Sequence, residues 1–238
     1  MANNRPFVRT ILLVLAALLT CGSLRANHVQ SKGCVTLTSP ADCTFTVDTT
    51  AGRLIIVAIK FFNVGAAVVS ITDTGLNSYT PAVSAGPNWG LSQYVYYAKN
   101  IAGGANTVSV AYTGSWSAVV AIHEYNSLDS TSPLDKTSSA TGGSGAGDSG
   151  AQTISQGDEL IFGVEISLYT LAGKAGSGFE PRVSSDHGGG FLTEDKIVSS
   201  VASYSTTFQD NTSVWLATMA TFKIAAGGPA RRVTVIRR

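Results

Sequence analysis

The chain has 238 residues, 16 basic and 15 acidic, and only 13% of it is charged. With Arg5, Arg9 and Arg25 assigned to a leader, 13 basic residues remain against 15 acidic ones, a formal charge of −2. That balance removes the electrostatic footing for general nucleic-acid binding. The abundance of Gly, Ser, Thr, Val and Ala points to a β protein with a polar, weakly charged surface.

At the front, Arg5 and Arg9 precede the apolar run from Thr10 to Leu19. A charged stretch followed by so short an apolar one reads as a secretory signal and not as a membrane span, so residues 1–26 are expected to be removed and the mature chain to have no transmembrane segment. Cleavage falls between Ser23 and Asn27. Cys21 stands where a lipidated cysteine would, but Thr20 before it fits a lipoprotein signal poorly. The expected destination is outside the cell or on its surface, with the periplasm also open. About 210 residues then remain, enough for one large core.

Segment 27–50 carries Cys34 and Cys43, an even pair in an exported chain, and a disulfide is the expected pairing. Two thiolates with no histidine close after them do not make a zinc site. From residue 51 to 226, strand-like stretches follow in series: Leu54 to Phe62, Ala67 to Thr72, Gln93 to Lys99, Thr107 to Tyr112, Ser117 to Tyr125, Glu159 to Tyr169, Glu194 to Val201, Tyr204 to Gln209 and Val214 to Ile224. Turn residues separate them, and no stretch beyond the leader keeps a helical spacing. In Thr107 to Tyr112 the even-numbered residues form the apolar face. Ala118 to Ile122 is apolar on both faces, as expected of a central strand covered on both sides. The fold class is therefore all-β, a two-sheet antiparallel sandwich of the jelly-roll type.

Tyr79-Thr80-Pro81-Ala82-Val83-Ser84 is echoed 100 residues later by Phe179-Glu180-Pro181-Arg182-Val183-Ser184, and Ala51-Gly52-Arg53-Leu54-Ile55 by Gly157-Asp158-Glu159-Leu160-Ile161. The halves are thus internally similar. Interleaving them in one sandwich would bury more surface per residue than two domains of about 90 residues. Between the halves, Asn126 to Gln152 is rich in Ser, Thr and Gly and reads as a flexible excursion.

Candidate chemistry is sparse. His28 lies at the mature terminus. His123 ends a strong strand, sharing a face with Tyr125 while Glu124 shares the other with Ile122, and reads as a hydrogen-bonded residue near the sandwich rim. Asp186-His187-Gly188-Gly189-Gly190 is a turn whose Asp186 and His187 form a ligand-facing pair if other reactive groups meet it, but no Gly-x-Ser-x-Gly or His-Glu-x-x-His motif accompanies it. The expectation is no catalytic activity and no cofactor, with a hydrolase of unsignalled active site as a second alternative. Oxygen ligands for a structural calcium occur at Asp73 and Asn77, and at Asp129 with Asp135, although Asp and Asn are also turn formers. Trp89, in Gly86-Pro87-Asn88-Trp89-Gly90, and the same-face pair Tyr94 and Tyr96 are the candidate ligand-binding residues. If that face meets solvent it is a flat sugar-binding platform, and if it meets a sheet it is core. Trp116 and Trp215 read as internal. The tail 227–238 holds Arg231, Arg232, Arg237 and Arg238 and reads as solvated.

Tyr96 to Val108, Ala121 to Asp129 and Met219 to Lys223, within a span from Ala51 to Ala225, resemble a family of bacterial and phage-associated extracellular β-sandwich domains. The resemblance implies an accessory, adhesion or surface-structural role and carries over no catalytic residues. The function expected is a secreted structural or interaction module of an extracellular or cell-surface assembly, with a protein assembly partner. The alternative is a carbohydrate-binding or adhesion domain taking a polysaccharide or cell-surface component.

Overall fold

The computed structural model describes residues 25–63, 65–115, 117–169, 174–209 and 213–226. Residues 1–24 of the leader with Cys21, Trp116, and the basic tail lie outside the described residues, while Ala26 is buried in the core.

Eighteen strands occur in these residues and no helix. The first half contains β1 (Asn27–Thr36), β2 (Ala41–Thr44), β3 (Leu54–Phe62), β4 (Ala67–Asp73), β5 (Thr80–Asn88), β6 (Leu91–Ala98), β7 (Thr107–Thr113) and β8 (Ala118–Asn126). The second contains β9 (Leu134–Gly142), β10 (Gly147–Asp148), β11 (Gln152–Thr153), β12 (Glu159–Ser167), β13 (Lys174–Ala175), β14 (Glu180–Ser185), β15 (Phe191–Val198), β16 (Ser203–Tyr204), β17 (Thr207–Gln209) and β18 (Trp215–Lys223).

The strand orders show a duplication. The first half forms a five-stranded sheet, β1-β8-β3-β6-β5, and a three-stranded sheet, β2-β7-β4. The second forms β9-β18-β12-β15-β14 and β10-β17-β13, with β11 and β16 as a small extra pair. In chain order, β9, β10, β12, β13, β14, β15, β17 and β18 occupy the places of β1 to β8. Every pairing of these strands is antiparallel.

The halves are stacked, not interleaved as the sequence suggested. In β3, Leu54, Ile56 and Ala58 face a central core shared with Leu160, Phe162 and Val164 of β12, so the two five-stranded sheets meet face to face. Ile55, Val57, Ile59 and Phe61 face the other way, into the first half's own outer core under the three-stranded sheet. The second half's outer core is split into two apolar clusters, one around Ile161 and Met219 and one around Phe208 and Trp215. Both faces of each central strand are therefore covered, which is why those strands read as unbroken apolar runs. Ala118 to Ile122 is such a strand, and its second face is covered by the other half of the same chain. Each fully buried Leu, Ile or Phe contributes about 1.5–3 kcal/mol to this arrangement. In β7, Val108, Val110 and Tyr112 point inward as the alternation indicated.

Segment 27–50 is part of the body. It supplies β1 and β2, and Cys34 and Cys43 are joined in a disulfide linking those strands. The stretch read as a flexible excursion contains β9, a nine-residue edge strand paired with β18. Its side chains are small and polar because an edge strand is only half covered.

Candidate functional site

The five-stranded sheet of the first half is wider than the three-stranded sheet above it, so the outer face of β5 and β6 runs past the cover. Tyr94 and Tyr96 lie on that face, opposite Ile59 and Val57 of β3. Both are half-buried against the outer core. With Pro81, Ala82, Val83 and Ser84 of β5 they line an open groove of ≈ 300 Å³. Tyr94 donates its hydroxyl to the carbonyl of Ala66 at 3.0 Å, and its ring stacks at a tilt on Phe61 at 5.8 Å, so its position is fixed. The platform and core readings of this pair are thus both partly realised, since one flank of each ring packs and the other lines the groove. No charged side chain lines it. Burial raises the Tyr96 hydroxyl pKa, with Tyr94 adding to the shift.

Trp89 is not among the lining residues. It stands 44% exposed in the β5–β6 turn, where Trp89 and Gly90 both have positive φ, 47° and 79°. That geometry closes a two-residue hairpin, and a tryptophan in it is strained.

Asp73 and Asn77 come together in a saturated clasp. Asp73 Oδ1 accepts the Asn77 backbone N–H at 2.8 Å, and Oδ2 accepts from Asn77 Nδ2, the Tyr79 hydroxyl and Asn106 Nδ2 at 2.7, 2.8 and 3.0 Å. The Asn77 Oδ1 accepts from the Ala102 N–H. Although burial pushes the other way, these donors hold the Asp73 carboxyl below its ordinary range. Each of these oxygens thus already serves a donor of the chain itself. Asp129 accepts from the Thr131 and Ser132 N–H groups, as a turn former does, and Asp135, within β9, accepts the N–H and hydroxyl of Ser155. Among the described residues no group of three or more His, Cys, Asp or Glu is arranged to hold a metal.

His187 lies apart from His123. His187 stacks edgewise on Phe62 at 6.2 Å, whereas His123 is paired in register with Ile56, six residues back along β3 and so roughly 20 Å away. The Asp186 to Gly190 turn is a clasp for Lys60. This fully buried amine donates to the carbonyls of Ser167, Gly188 and Gly190 at 3.1, 3.4 and 2.9 Å and lies 4.3 Å from the Phe62 ring. Burial lowers its pKa to about 7, against the opposing charge of Asp186. Gly188 has φ +57°, and a Cβ there would lie 2.6 Å from Phe62, so the turn tolerates only glycine.

His123 is not at a rim. It is fully buried in the central core, with neither ring nitrogen hydrogen-bonded. Around it lie His28, whose ring is 6.2 Å away, Tyr125 at 6.4 Å and Phe162 at 5.0 Å. His28 is within β1 and half-buried, not frayed. Tyr125 donates to Asp195 Oδ2 at 2.6 Å, and Arg182 grips both oxygens of Asp195 at 2.7 and 2.8 Å. Gln93 makes a further crossing, donating to the Val164 carbonyl and Thr218 Oγ1, each at 2.9 Å. Lys60, Gln93 and Tyr125 thus fasten the first half to the second. Glu124, on the opposite face from His123 as alternation required, binds Arg53 at 3.0 Å and Gln30 at 2.7 Å.

The second half replaces the groove with a closed acidic interior. In register, Glu165 and Glu194 stand where the first half has Ile59 and Tyr96. Glu194 accepts the Gly176 N–H at 2.7 Å, and burial raises its pKa to about 8 despite that bond, with Glu165 adding to the rise. Glu159 is likewise raised by burial to about 7.

Sequence reasoning singled out the tyrosines as a ligand platform and Asp73 with Asn77 as cation ligands, and it missed the polar fastenings. Lys60 and Gln93 were visible as the polar members of otherwise apolar strands. Arg182 and Asp195 carry no such mark. No family model, curated protein or solved structure matches the chain. Among the described residues no helix is long and apolar enough to cross a membrane.

Proposed function

We propose that the protein is an exported, non-catalytic interaction module of an extracellular or cell-surface assembly, and that it holds the face of a neutral sugar ring in the groove beside Tyr94 and Tyr96. The observation that carries this is the pair of half-buried tyrosines, one locked by its hydroxyl, lining an uncharged groove at the sheet margin. An aromatic ring offers a sugar its apolar C–H face, while the Tyr96 and Ser84 hydroxyls supply polar edges. The disulfide and the leader-like N-terminus favour export. The nested order, β1 beside β8, β2 beside β7 and β3 beside β6, supports a jelly-roll origin for each half, with β5 joined to the larger sheet. This agrees with the resemblance to bacterial and phage-associated extracellular domains. Because the corresponding place in the second half is filled by Glu194 and Leu192, one chain has one such site.

The test is a glycan array with mature protein, followed by calorimetry on any hit. Tyr96→Ala should weaken binding about tenfold while the far-ultraviolet spectrum stays unchanged, since one stacked ring contributes on the order of 1 kcal/mol. Stoichiometry should be one ligand per chain. Absence of any bound glycan, or full affinity in a Tyr94→Ala/Tyr96→Ala double variant, would remove the reading.

A further inference from the structure

The contact between the two halves contains a polar group with no partner. His123 projects from β8 into the central core at 0% exposure, and neither nitrogen meets a donor or acceptor. Such a group costs free energy to bury even when neutral, and far more when charged. The ionisable groups around it are His28 on β1 and Arg182 on β14, both of which act on its charge, Tyr125 on β8 itself, and Asp195 on β15, which Tyr125 and Arg182 bind. The one carboxylate lying close by, Asp195, already receives Tyr125 and both arms of Arg182. A proton arriving at His123 therefore finds no counter-ion free to pair with it, while Arg182 and His28 both disfavour the charge.

We propose that His123 is an acid-operated release, at which proton uptake parts the two halves along the central core while each keeps its own outer core. Two features make parting, and not general unfolding, the response. Each half has outer apolar packing of its own, one cluster in the first half and two in the second, and the disulfide lies wholly within the first half. The chain between β8 and β9, residues 127–133, is the covalent link between them. Burial, with His28 and Arg182, holds the His123 pKa well below its ordinary value. The folded state therefore binds fewer protons here than the separated state. The contact is intact above the ordinary histidine range, near pH 6.5, and weakens as pH falls from there toward the depressed value.

The test compares wild type with His123→Leu and His123→Gln, neither of which can take a proton, by small-angle scattering and far-ultraviolet dichroism from pH 7.5 to 4. Wild type should expand as pH falls while keeping its β signal. Both variants should hold the compact radius to a pH lower by about one unit or more. Other buried groups, Glu159 and Glu194 among them, are common to all three chains, so the difference reports His123. If Leu destabilises the core by its shape, Gln keeps a polar side chain and supplies the same comparison. An unchanged expansion pH in both variants would overturn the proposal, as would loss of the β signal in step with expansion.

Discussion

Lys60 sits in the middle of Leu-Ile-Ile-Val-Ala-Ile-Lys-Phe-Phe, and its amine reaches across the central core to three carbonyls of the opposite half. A buried ammonium is tolerated only where oxygen atoms replace its water, and the Gly188 to Gly190 turn supplies them by taking a shape other residues resist. The folded pKa of about 7 lies below the ordinary 10.5, so the unfolded chain binds the extra proton. Stability contributed by this group should therefore rise from pH 7 toward pH 9. The size is a few kcal/mol at most over that window. Lys60→Met should remove that rise, as measured by urea midpoints at pH 7, 8 and 9. An identical slope in the variant would mean that the amine is solvated. The candidate ligand residues behave differently from this anchor. Tyr94 and Tyr96 were readable as a same-face pair because alternation alone fixes their common side, but which side is open depends on the width of a sheet built from distant segments.

At the scale of elements, the central strands were legible, and of the edges only β4 was read while β1, β5, β9 and β14 were not. β3, β8, β12 and β18 are covered on both faces, and their continuous apolar runs announced them. β5 and β14 are edge strands that carry Pro81, Pro87 and Pro181, with a bulge directly after Pro81 and again after Pro181. Proline and bulges protect an unpaired edge, yet in sequence they look like turns. This also accounts for the repeated Pro-x-Val-Ser, which marks the same protected edge in both halves. β9 and β1 were missed for a related reason, since a half-covered edge needs few apolar residues. β1 instead depends on its link to β2. Replacing both Cys34 and Cys43 with Ala should cost roughly 2–3 kcal/mol, read as a lower urea midpoint that added reductant does not change further. Equal stability of variant and oxidised wild type would show that β1 is held by its ladder to β8 alone.

Over the whole molecule, the duplication explains both the size of the core and its asymmetry. Two sandwiches of like topology share one interior, and Lys60, Gln93 and Tyr125 set how they stack. The outer interiors have then diverged, one into an open groove with tyrosines and the other into a closed compartment with Glu165 and Glu194. Sequence similarity revealed the halves, but stacking against interleaving depends on which faces of β3 and β12 meet, a long-range choice that no local pattern records. Native-state amide exchange near pH 7.5 tests this most directly. The account predicts that amides of β3 and β8 in the first half and β12 and β18 in the second form one most-protected group, exposed together by the same opening as urea is raised. Separate exposure of the first-half and second-half strands at clearly different urea concentrations would contradict a shared core.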